Sequence, residues 1–550
     1  MAWGILEDTH MAHVPGTVIL ADQTDVPSEY RAIPRELLKH GRGRRSDIIL
    51  APQPSDSPND PLNWPTWRKD VILIIIGLTA AVVGAYGPML SPGFVEIAAD
   101  LHITVNTLSQ STAWVVLLIG LSLFLFNPLA KKVGRRPVYV ISSIIMLTGS
   151  IWGGVSKNYS SFLGSRIYSG IGMAPYEILV QVTIADMYFV HQRATRIAIW
   201  NMFLLCGISG GALIAGYIIE DQGWNWTFIW CAILFGALLP LVILFVPETA
   251  FRRQSYEERL RAAEEAIRTK EESLEKVDTT IEKTDPSPSS SEIEAQTEPK
   301  DSFLRSLRIY SGIYTTTPLW KIFLRPLVIF WYPGVLWAFL LYGVTLDWIV
   351  VFSVVNGVIF TSPPYNFSVS QTGLISLSPF ILTFVGEIIS GPLNDWVCLY
   401  LAKKNHGIYE PEFRFPPLIF SLLLGIVGFF GFGATVHYQT HWIGPVLCFG
   451  FANMCLAVSN ASVFGYVVDA HRELAEEAFV AINARNILCF GLTYFVNDWL
   501  ARDGVLAVFN VLGTIFVVVN LLTIPLWIYG KRIRSWIARN KTLDAFMHED

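Results

Sequence analysis

The chain has 550 residues, of which 52% are hydrophobic and only 15% are charged. This composition is too apolar for a soluble protein of that length and is typical of a polytopic membrane protein embedded in a lipid bilayer. The 40 Lys and Arg residues against 45 Asp and Glu residues give a net charge of −5, so nucleic-acid binding is not expected. The six cysteines form no Cys-x-x-Cys pair, and the sequence predicts no disulfide framework, no metal site and no cofactor.

Residues 1–70 precede the first long apolar run and are polar, with basic clusters at 42–45 and 68–69. We expect a disordered cytoplasmic N-terminal tail here, because such a segment has too little apolar surface to form a core. No cleavable signal peptide is expected, so the first spanning helix would direct insertion itself.

Apolar runs of about 20 residues, the length needed to cross a bilayer, then follow in close succession. The first half is predicted to hold six spanning helices and to form an N-terminal bundle over residues 71–248. They are placed at residues 71–90, 112–130, 138–156, 161–188, 197–219 and 227–246.

A charged segment separates this bundle from a second group of apolar runs. Residues 249–325 are predicted to be a cytoplasmic central loop, with an amphipathic helix near 256–277 and a disordered Ser/Pro/Glu-rich remainder. Six further spans follow in a C-terminal bundle over residues 326–530, and residues 531–550 form a cytoplasmic tail. These spans are placed at 327–352, 373–393, 417–436, 443–467, 478–498 and 505–529.

The positions of Lys and Arg in the short loops predict the orientation of the helices, because cytoplasmic loops are enriched in both. One side of the predicted topology carries Lys131, Lys132, Arg135, Arg136, Arg193, Arg252, Arg253, Lys403, Lys404, Arg414, Arg472, Lys531, Arg532 and Arg534. The other side carries Lys157 and Arg502. Both termini are therefore expected in the cytoplasm. Three glycosylation sequons, at Asn158, Asn225 and Asn366, fall in predicted outer loops.

The fourth predicted span is unusual because Arg166 and Glu177 lie inside it. A charge at that depth is costly unless it faces a watery cavity or a partner. The two residues are eleven apart, so they share one helix face and lie roughly 16 Å from each other. We expect Arg166 and Glu177 to take part in proton coupling, with Glu177 also contacting substrate. The alternatives are that Arg166 extends to the outer surface and that Glu177 is a protonated carboxyl bonded to a neighbouring helix.

Three more charged residues lie in apolar surroundings. Glu387 in the eighth span is a second candidate for proton coupling, and Arg485 in the eleventh is a candidate gating residue. The alternative for both is helix pairing near the cytoplasmic end. Asp347 is expected near the outer end of the seventh span, where it would contact water.

Aromatic and amide side chains supply the candidate substrate contacts. The seventh span carries Trp331, Tyr332, Trp337 and Tyr342, whose rings can bind an organic or cationic ligand. Such rings more often face lipid or the interface. Asn453 and Asn460 in the tenth span are seven residues apart, so they share a face and could hydrogen-bond substrate.

Two loops at matching positions carry a shared motif. Residues 127–137 read NPLAKKVGRRP, and residues 391–395 read GPLND. Both resemble the G-x-L-x-D-R-x-G-R-R signature of the major facilitator superfamily, although Lys131 stands where the family has Asp and Asn127 where it has Gly. The resemblance implies a fold of two six-helix, pseudo-symmetric bundles and gating contacts at Lys131, Arg135, Arg136, Asp186 and Asp395.

Further motifs narrow the resemblance. Residues 163–172, LGSRIYSGIG, look like the family's fourth-helix motif, whose Arg is associated with proton coupling. Residues 206–216, CGISGGALIAG, resemble the fifth-helix antiporter motif GxxxGPxxGG, with Ala212 in place of its Pro. Together with the segments 59–65, 186–193 and 466–469, they look like the fungal twelve-span drug:proton antiporter branch, which also holds polyamine-type transporters.

The sequence as a whole predicts a proton-coupled transporter of the plasma membrane that works by alternating access, acts as a monomer and exports a small organic compound. Uptake of an organic cation such as a polyamine is the alternative. A second alternative is a nutrient sensor that has the same fold but does not transport. The chain has no GxxxxGK[ST], HExxH or GxSxG motif, so neither ATP-driven transport nor an enzyme is indicated.

Overall fold

The described part of the chain is almost entirely helical. The structure is a computed structural model, and it describes residues 4–8, 10–11, 14–19, 39, 50, 52–55, 57–251, 302, 307–315, 317–405, 408–471 and 474–540. Two short strands, β1 (Val18–Ile19) and β2 (Ile408–Tyr409), pair antiparallel and form the one sheet within these residues.

The described residues of the first half form seven α-helices. They are α1 (Thr66–Tyr86), α2 (Phe94–Asp100), α3 (Val105–Val133), α4 (Arg135–Val155), α5 (Tyr159–Met187), α6 (Val190–Gln222) and α7 (Trp224–Phe245). All but the short α2 are at least 21 residues long, which is enough to cross a bilayer.

The second half repeats this plan with extra short helices. Its described helices are α8 (Leu319–Ile329), α9 (Pro333–Ile359), α10 (Val369–Leu374), α11 (Leu377–Lys404), α12 (Leu418–His437), α13 (Ile443–Ala470), α14 (Ala475–Asn483), α15 (Arg485–Leu521) and α16 (Thr523–Ala538).

Twelve membrane spans follow from these helices. By length and composition, ten described stretches are apolar enough to cross a membrane, and one of them, Ala475–Ala538, is 64 residues long. It holds two spans, because α15 is interrupted at Gly504, whose φ of 78° no helix adopts. The remaining span is α5, which is long enough but carries Arg166 and Glu177.

Local sequence signals set several helix ends. Thr104 begins α3 by accepting a hydrogen bond from the backbone of Thr107, and Asn158 begins α5 in the same way from Ser161. Gly134 ends α3 with a φ of 108°, a conformation that glycine adopts without strain. The chain therefore turns directly from α3 into α4.

The two halves meet along three pairs of helices. Helix α3 packs against α15, and α6 packs against α10 and α11. We call the end of the bundle that carries Lys131, Lys132, Arg135 and Arg136 the basic end, and the other the far end. Helix α1 begins and α16 ends at the basic end of the bundle.

Three predicted extents differ from the structure in detail, and one predicted helix lies outside the described residues. The tail expected to be disordered over residues 1–70 contains ordered segments, since residues 4–8 and 14–19 pack on the second half. The seventh span begins at Pro333, because α8 is a separate helix before it. The last helix continues to Ala538, beyond the predicted end at 530. The predicted helix at 256–277 lies outside the described residues.

Candidate functional site

A row of hydrogen-bonded polar side chains crosses from one half to the other in the middle of the bundle. Asn486 donates from Nδ2 to Glu177 Oε2 over 3.2 Å. Arg485 donates from Nη1 to Asn486 Oδ1 over 2.9 Å and to Asp347 Oδ1 over 3.0 Å. We call these four residues the central polar chain.

A break between two helices places the central polar chain. Helix α14 ends at Asn483 and α15 begins at Arg485, so Arg485 and Asn486 both lie on a first helical turn. Gly120 of α3 lets the other half approach, because a Cβ there would lie only 2.9 Å from Asn486 Cβ. Discontinuous helices of this kind form binding sites in many membrane transporters.

Burial makes the central ion pair energetically important. Asp347 is 2% exposed and Arg485 is 3% exposed, and the ring of Tyr342 lies 4.8 Å from the Arg485 guanidinium carbon. Two carboxylates share one guanidinium, and Glu177 reaches it only through Asn486. Glu177 therefore needs either a proton or a cationic ligand to offset its charge when water is excluded.

The structure places Asp347 and Arg485 differently from the sequence predictions. Asp347 lies in the middle of α9, away from the outer end, because the helix starts six residues later than the predicted span at 327. Arg485, for which a gating role was predicted and helix pairing near the cytoplasmic end was the alternative, lies in the central polar chain, where it pairs with Asp347.

Arg166 is fully buried but lies apart from the central polar chain. It donates from Nη1 to the carbonyl of Tyr86 over 2.8 Å and from Nη2 to the carbonyl of Gly87 over 3.0 Å. These carbonyls are at the end of α1, where the helix dipole favours a positive charge. The direct contacts of Arg166 therefore hold α1 against α5 and do not involve a carboxylate.

Glu387 of α11 makes a second polar contact between the halves. It accepts a hydrogen bond from Asn201 of α6, and its side chain is 8% exposed. Helices α6 and α11 thus carry a buried carboxyl at their interface, separate from Glu177.

At the basic end, ion pairs close the space between the halves. Lys131 lies 2.5 Å from Glu477 and 3.6 Å from Glu476, both on α14. Arg135 pairs with Asp186 within the first half at 3.3 Å and approaches Glu476 at 3.9 Å. The predicted gating residues Lys131, Arg135 and Asp186 are brought together here, whereas their partners on α14 were not anticipated.

Two further predicted gating residues, Arg136 and Asp395, do not join this cluster. Arg136 is buried inside the first half, where it donates to the Ile243 carbonyl over 2.6 Å. Asp395 is exposed on the surface of the second half. Its neighbour Asn394 is buried and donates to Ser462 over 2.7 Å.

At the far end, hydrogen bonds rather than ion pairs join the halves. Asn106 donates to both oxygens of Asp498 over 3.0 Å. Glu220 accepts from the Ser368 hydroxyl over 3.0 Å and from the backbone of Ser370. These residues lie at the ends of helices that are far apart in the sequence, and no sequence spacing links them.

The helices that carry these far-end contacts touch through their backbones. A Cβ on Gly216 of α6 would lie 2.9 Å from Gly373 Cα of α10, and one on Gly357 would overlap the carbonyl of Ser91. Both ends of the bundle are thus closed. The cavity between the halves near the far end measures ≈ 20 Å³, about the room for one water molecule.

The predicted substrate contacts divide into three groups. Trp331 is 73% exposed and lies before α9, apart from the central polar chain, and its role as a substrate contact stays a prediction. Tyr332 and Trp337 are buried in the second half, against His471 and Phe415. Tyr342 faces the central polar chain.

The two predicted amides are both buried on α13. Asn453 lines the cavity near the far end and donates to the Phe449 carbonyl over 2.9 Å. Asn460 is 3% exposed, and neither amide atom has a hydrogen-bond partner among the described residues. A buried amide without partners is costly, so Asn460 is suited to bind a polar ligand or water.

All three sequons lie at the far end. Asn158 and Asn366 are exposed. The Nδ2 of Asn225 instead donates to the carbonyls of Gly154 and Ser156, over 3.1 and 3.2 Å. Among the described residues, no cluster of three or more His, Cys, Asp or Glu side chains could hold a metal ion.

Comparisons with known proteins agree with this architecture. The family model described as Major Facilitator Superfamily matches residues 72–488. An uncharacterized MFS-type transporter of Schizosaccharomyces pombe is 27% identical, covering 97% of this chain and 94% of the relative. The efflux pump radE of Floropilus chiversii is 26% identical, covering 87% of this chain and 84% of the pump.

A solved structure shows the same fold. The MFS proton:xylose symporter XylE superposes with a TM-score of 0.56 over 88% of this chain and 100% of that chain. At 14% sequence identity, this likeness concerns the fold alone. The predicted fold class, two six-helix bundles in an all-α membrane protein, is confirmed.

Proposed function

Because the chain belongs to the Major Facilitator Superfamily, and is therefore a multi-pass membrane transporter of small molecules, we propose that it exports a small organic compound in exchange for protons. The observation that carries the proposal is the central polar chain, in which a carboxyl of one half is hydrogen-bonded to an ion pair of the other. Export is supported by the relative named as an efflux pump.

Proton coupling would use the contact between Glu177 and Asn486. When Glu177 is ionised, its carboxylate accepts from Asn486 and is linked to Arg485. Protonation removes that charge and weakens the link between the halves, because the strong charge-assisted bond becomes a neutral one. A substrate that displaces the proton would restore the link. Glu387, at the other interface, would contribute a second titrating group.

Alternating access would then open one end at a time. The ion pairs of Lys131 and Arg135 with α14 must separate to open the basic end. The hydrogen bonds of Asn106 and Glu220 must separate to open the far end. A structure closed at both ends fits an intermediate between the two open states of such a cycle.

We also propose the plasma membrane as the location, with the basic end in the cytoplasm, and a monomer as the working unit. The concentration of Lys and Arg at the basic end supports the orientation. Both termini would then be cytoplasmic.

Uptake of an organic cation is the second candidate. Two carboxylates around one guanidinium leave the central polar chain with a formal charge of −1 when both are ionised, and a cation would offset it. The Tyr342 ring would add a cation–π contact if Arg485 moved aside.

The deciding experiment measures transport directly. Growth of deletion and overexpressing strains on a panel of toxic organic compounds and polyamines first identifies a substrate. Cells loaded with the labelled compound should then lose it, and a protonophore should stop the loss. Accumulation in place of loss would reject export, and absence of flux in proteoliposomes would favour a sensor.

Proton coupling is tested with Glu177→Gln. In proteoliposomes this variant should lose flux driven by a proton gradient yet retain exchange of labelled for unlabelled substrate. The matched control is Asp503→Asn, which changes an exposed carboxyl outside the central polar chain and should leave both activities intact. Gradient-driven flux that survives in Glu177→Gln would refute the role proposed for this residue.

A further inference from the structure

The described residues of the N-terminal segment, 4–8 and 14–19, pack on the basic end of the second half rather than on the half that the segment precedes. The backbone of Leu6 donates to the Ile528 carbonyl over 3.0 Å. Arg532 donates to the Glu7 carbonyl over 3.1 Å. Farther along, β1 adds to β2 in an antiparallel pair. The backbone of the segment is therefore bound at both of its ends.

Side chains of the segment fit specific positions on that surface. Ile5 is 0% exposed and packs in an apolar cluster with Cys398, Leu401, Ala402, Tyr409 and Phe413. Glu7 lies 2.7 Å from Lys531, and Ser535 donates to Asp8 over 2.7 Å. One buried apolar anchor surrounded by polar contacts is the usual composition of a specific interface.

The receiving surface is built around a buried charge cluster. Arg534 is 3% exposed and lies 2.9 Å from both Glu410 and Glu412. The segment completes this cluster, since Thr17 donates to Glu410 over 2.7 Å and the Pro15 carbonyl accepts from Arg534. Without the segment, these buried polar groups would lose partners, which is costly in a protein interior.

We propose that the surface formed by residues 408–414 and α16 is a peptide-docking site whose occupant is the chain's own N-terminal segment. Docking joins the last helix to the loop between α11 and α12 and so strengthens the basic end of the second half. The site binds by strand addition, one apolar anchor and one ion pair.

The first test is crosslinking in the full-length protein. Cysteines introduced by Glu7→Cys and Lys531→Cys should be joined by a short bismaleimide in high yield. The control pair, Glu7→Cys with Arg502→Cys at the far end, should not be joined. Absence of the first crosslink would overturn the proposal.

The second test measures specificity and occupancy. Ile5→Asp in the first cysteine pair should lower the crosslink yield at least about fivefold, because an unpaired carboxylate would enter the apolar cluster. His10→Ala, which alters an exposed side chain of the same segment, should leave the yield unchanged. An equal yield with Ile5→Asp would contradict the docking mode.

The third test asks whether the site accepts the segment as a separate molecule. A fluorescein-labelled peptide of residues 4–19 should bind the full-length Ile5→Asp protein, whose site is vacated, at least about tenfold more tightly than the wild-type protein, whose site is filled. Equal binding to both proteins, or no binding to the Ile5→Asp protein, would overturn the proposal.

Discussion

Replacing Asp347 by Asn should destabilise the second half by leaving Arg485 buried with its charge uncompensated. Removing one partner of a buried ion pair costs about 3–5 kcal/mol. Here the lower end, about 3 kcal/mol, is expected, because Asn486 and the Tyr342 ring remain in contact with the guanidinium. That is roughly a hundredfold change in the unfolding equilibrium.

A double-mutant cycle in detergent micelles measures this effect. Asp347→Asn, Arg485→Gln and the double variant are unfolded with denaturant, and their free energies of unfolding are compared with that of the wild type. The double variant should be more stable than Asp347→Asn alone, since it removes the unpaired charge, and the coupling energy should be about 2–3 kcal/mol. Asp503→Asn breaks an exposed ion pair with Arg502 and should change nothing measurable.

Two results would refute the reasoning. A loss of less than about 1 kcal/mol for Asp347→Asn would mean that the pair is hydrated. A double variant no more stable than Asp347→Asn would mean that Arg485 does not depend on Asp347. The stability readout is independent of transport, so it tests the site even before a substrate is known.

Three further predictions concern the interfaces between the halves. Gly120→Ala should reduce substrate flux strongly, because the new Cβ would lie against the Cβ of Asn486. Gly491→Ala is the control and should not reduce flux, because the space around Gly491 is open. Equal flux in the two variants would argue against close packing of α3 on α15. Lys131→Glu should open the basic end and so make it accessible to a cysteine-reactive probe. Adding Glu477→Lys should restore an ion pair of reversed polarity and protect the basic end from the probe again. If the double variant stays accessible, residues 131 and 477 do not pair. Trp331→Ala should transport normally, and a loss of flux would return this residue to the substrate path.

Much of the fold could be predicted because the bilayer imposes a local rule. A helix needs about 20 apolar residues to span the membrane, and this requirement is visible in any window of the sequence. It located every span, including α5 despite its two charges. Boundaries were less accurate where a short helix adjoins a span, as α8 adjoins α9, because both are apolar and only the Pro333 turn separates them.

The candidate site was predictable only in part. The sequence showed that Glu177 lies inside an apolar helix and needs a partner, because buried charge is costly. It did not show that the partner is Asn486, 309 residues away along the chain. Arg166 is likewise a charged residue inside an apolar helix, but its partners are the backbone carbonyls at the end of α1 and not a side chain of the other half.

The sequence alone therefore determined the number of spans, the basic end and the presence of charged groups that cannot face lipid, because each depends on the local balance of apolar and charged residues. The tertiary structure decided which charges meet. Lys131 and Glu477 are 346 residues apart, and the N-terminal segment lies against the last helix, because helix packing brings distant parts of the chain to one place. No local pattern encodes such pairings, since they arise only when the two halves close on each other.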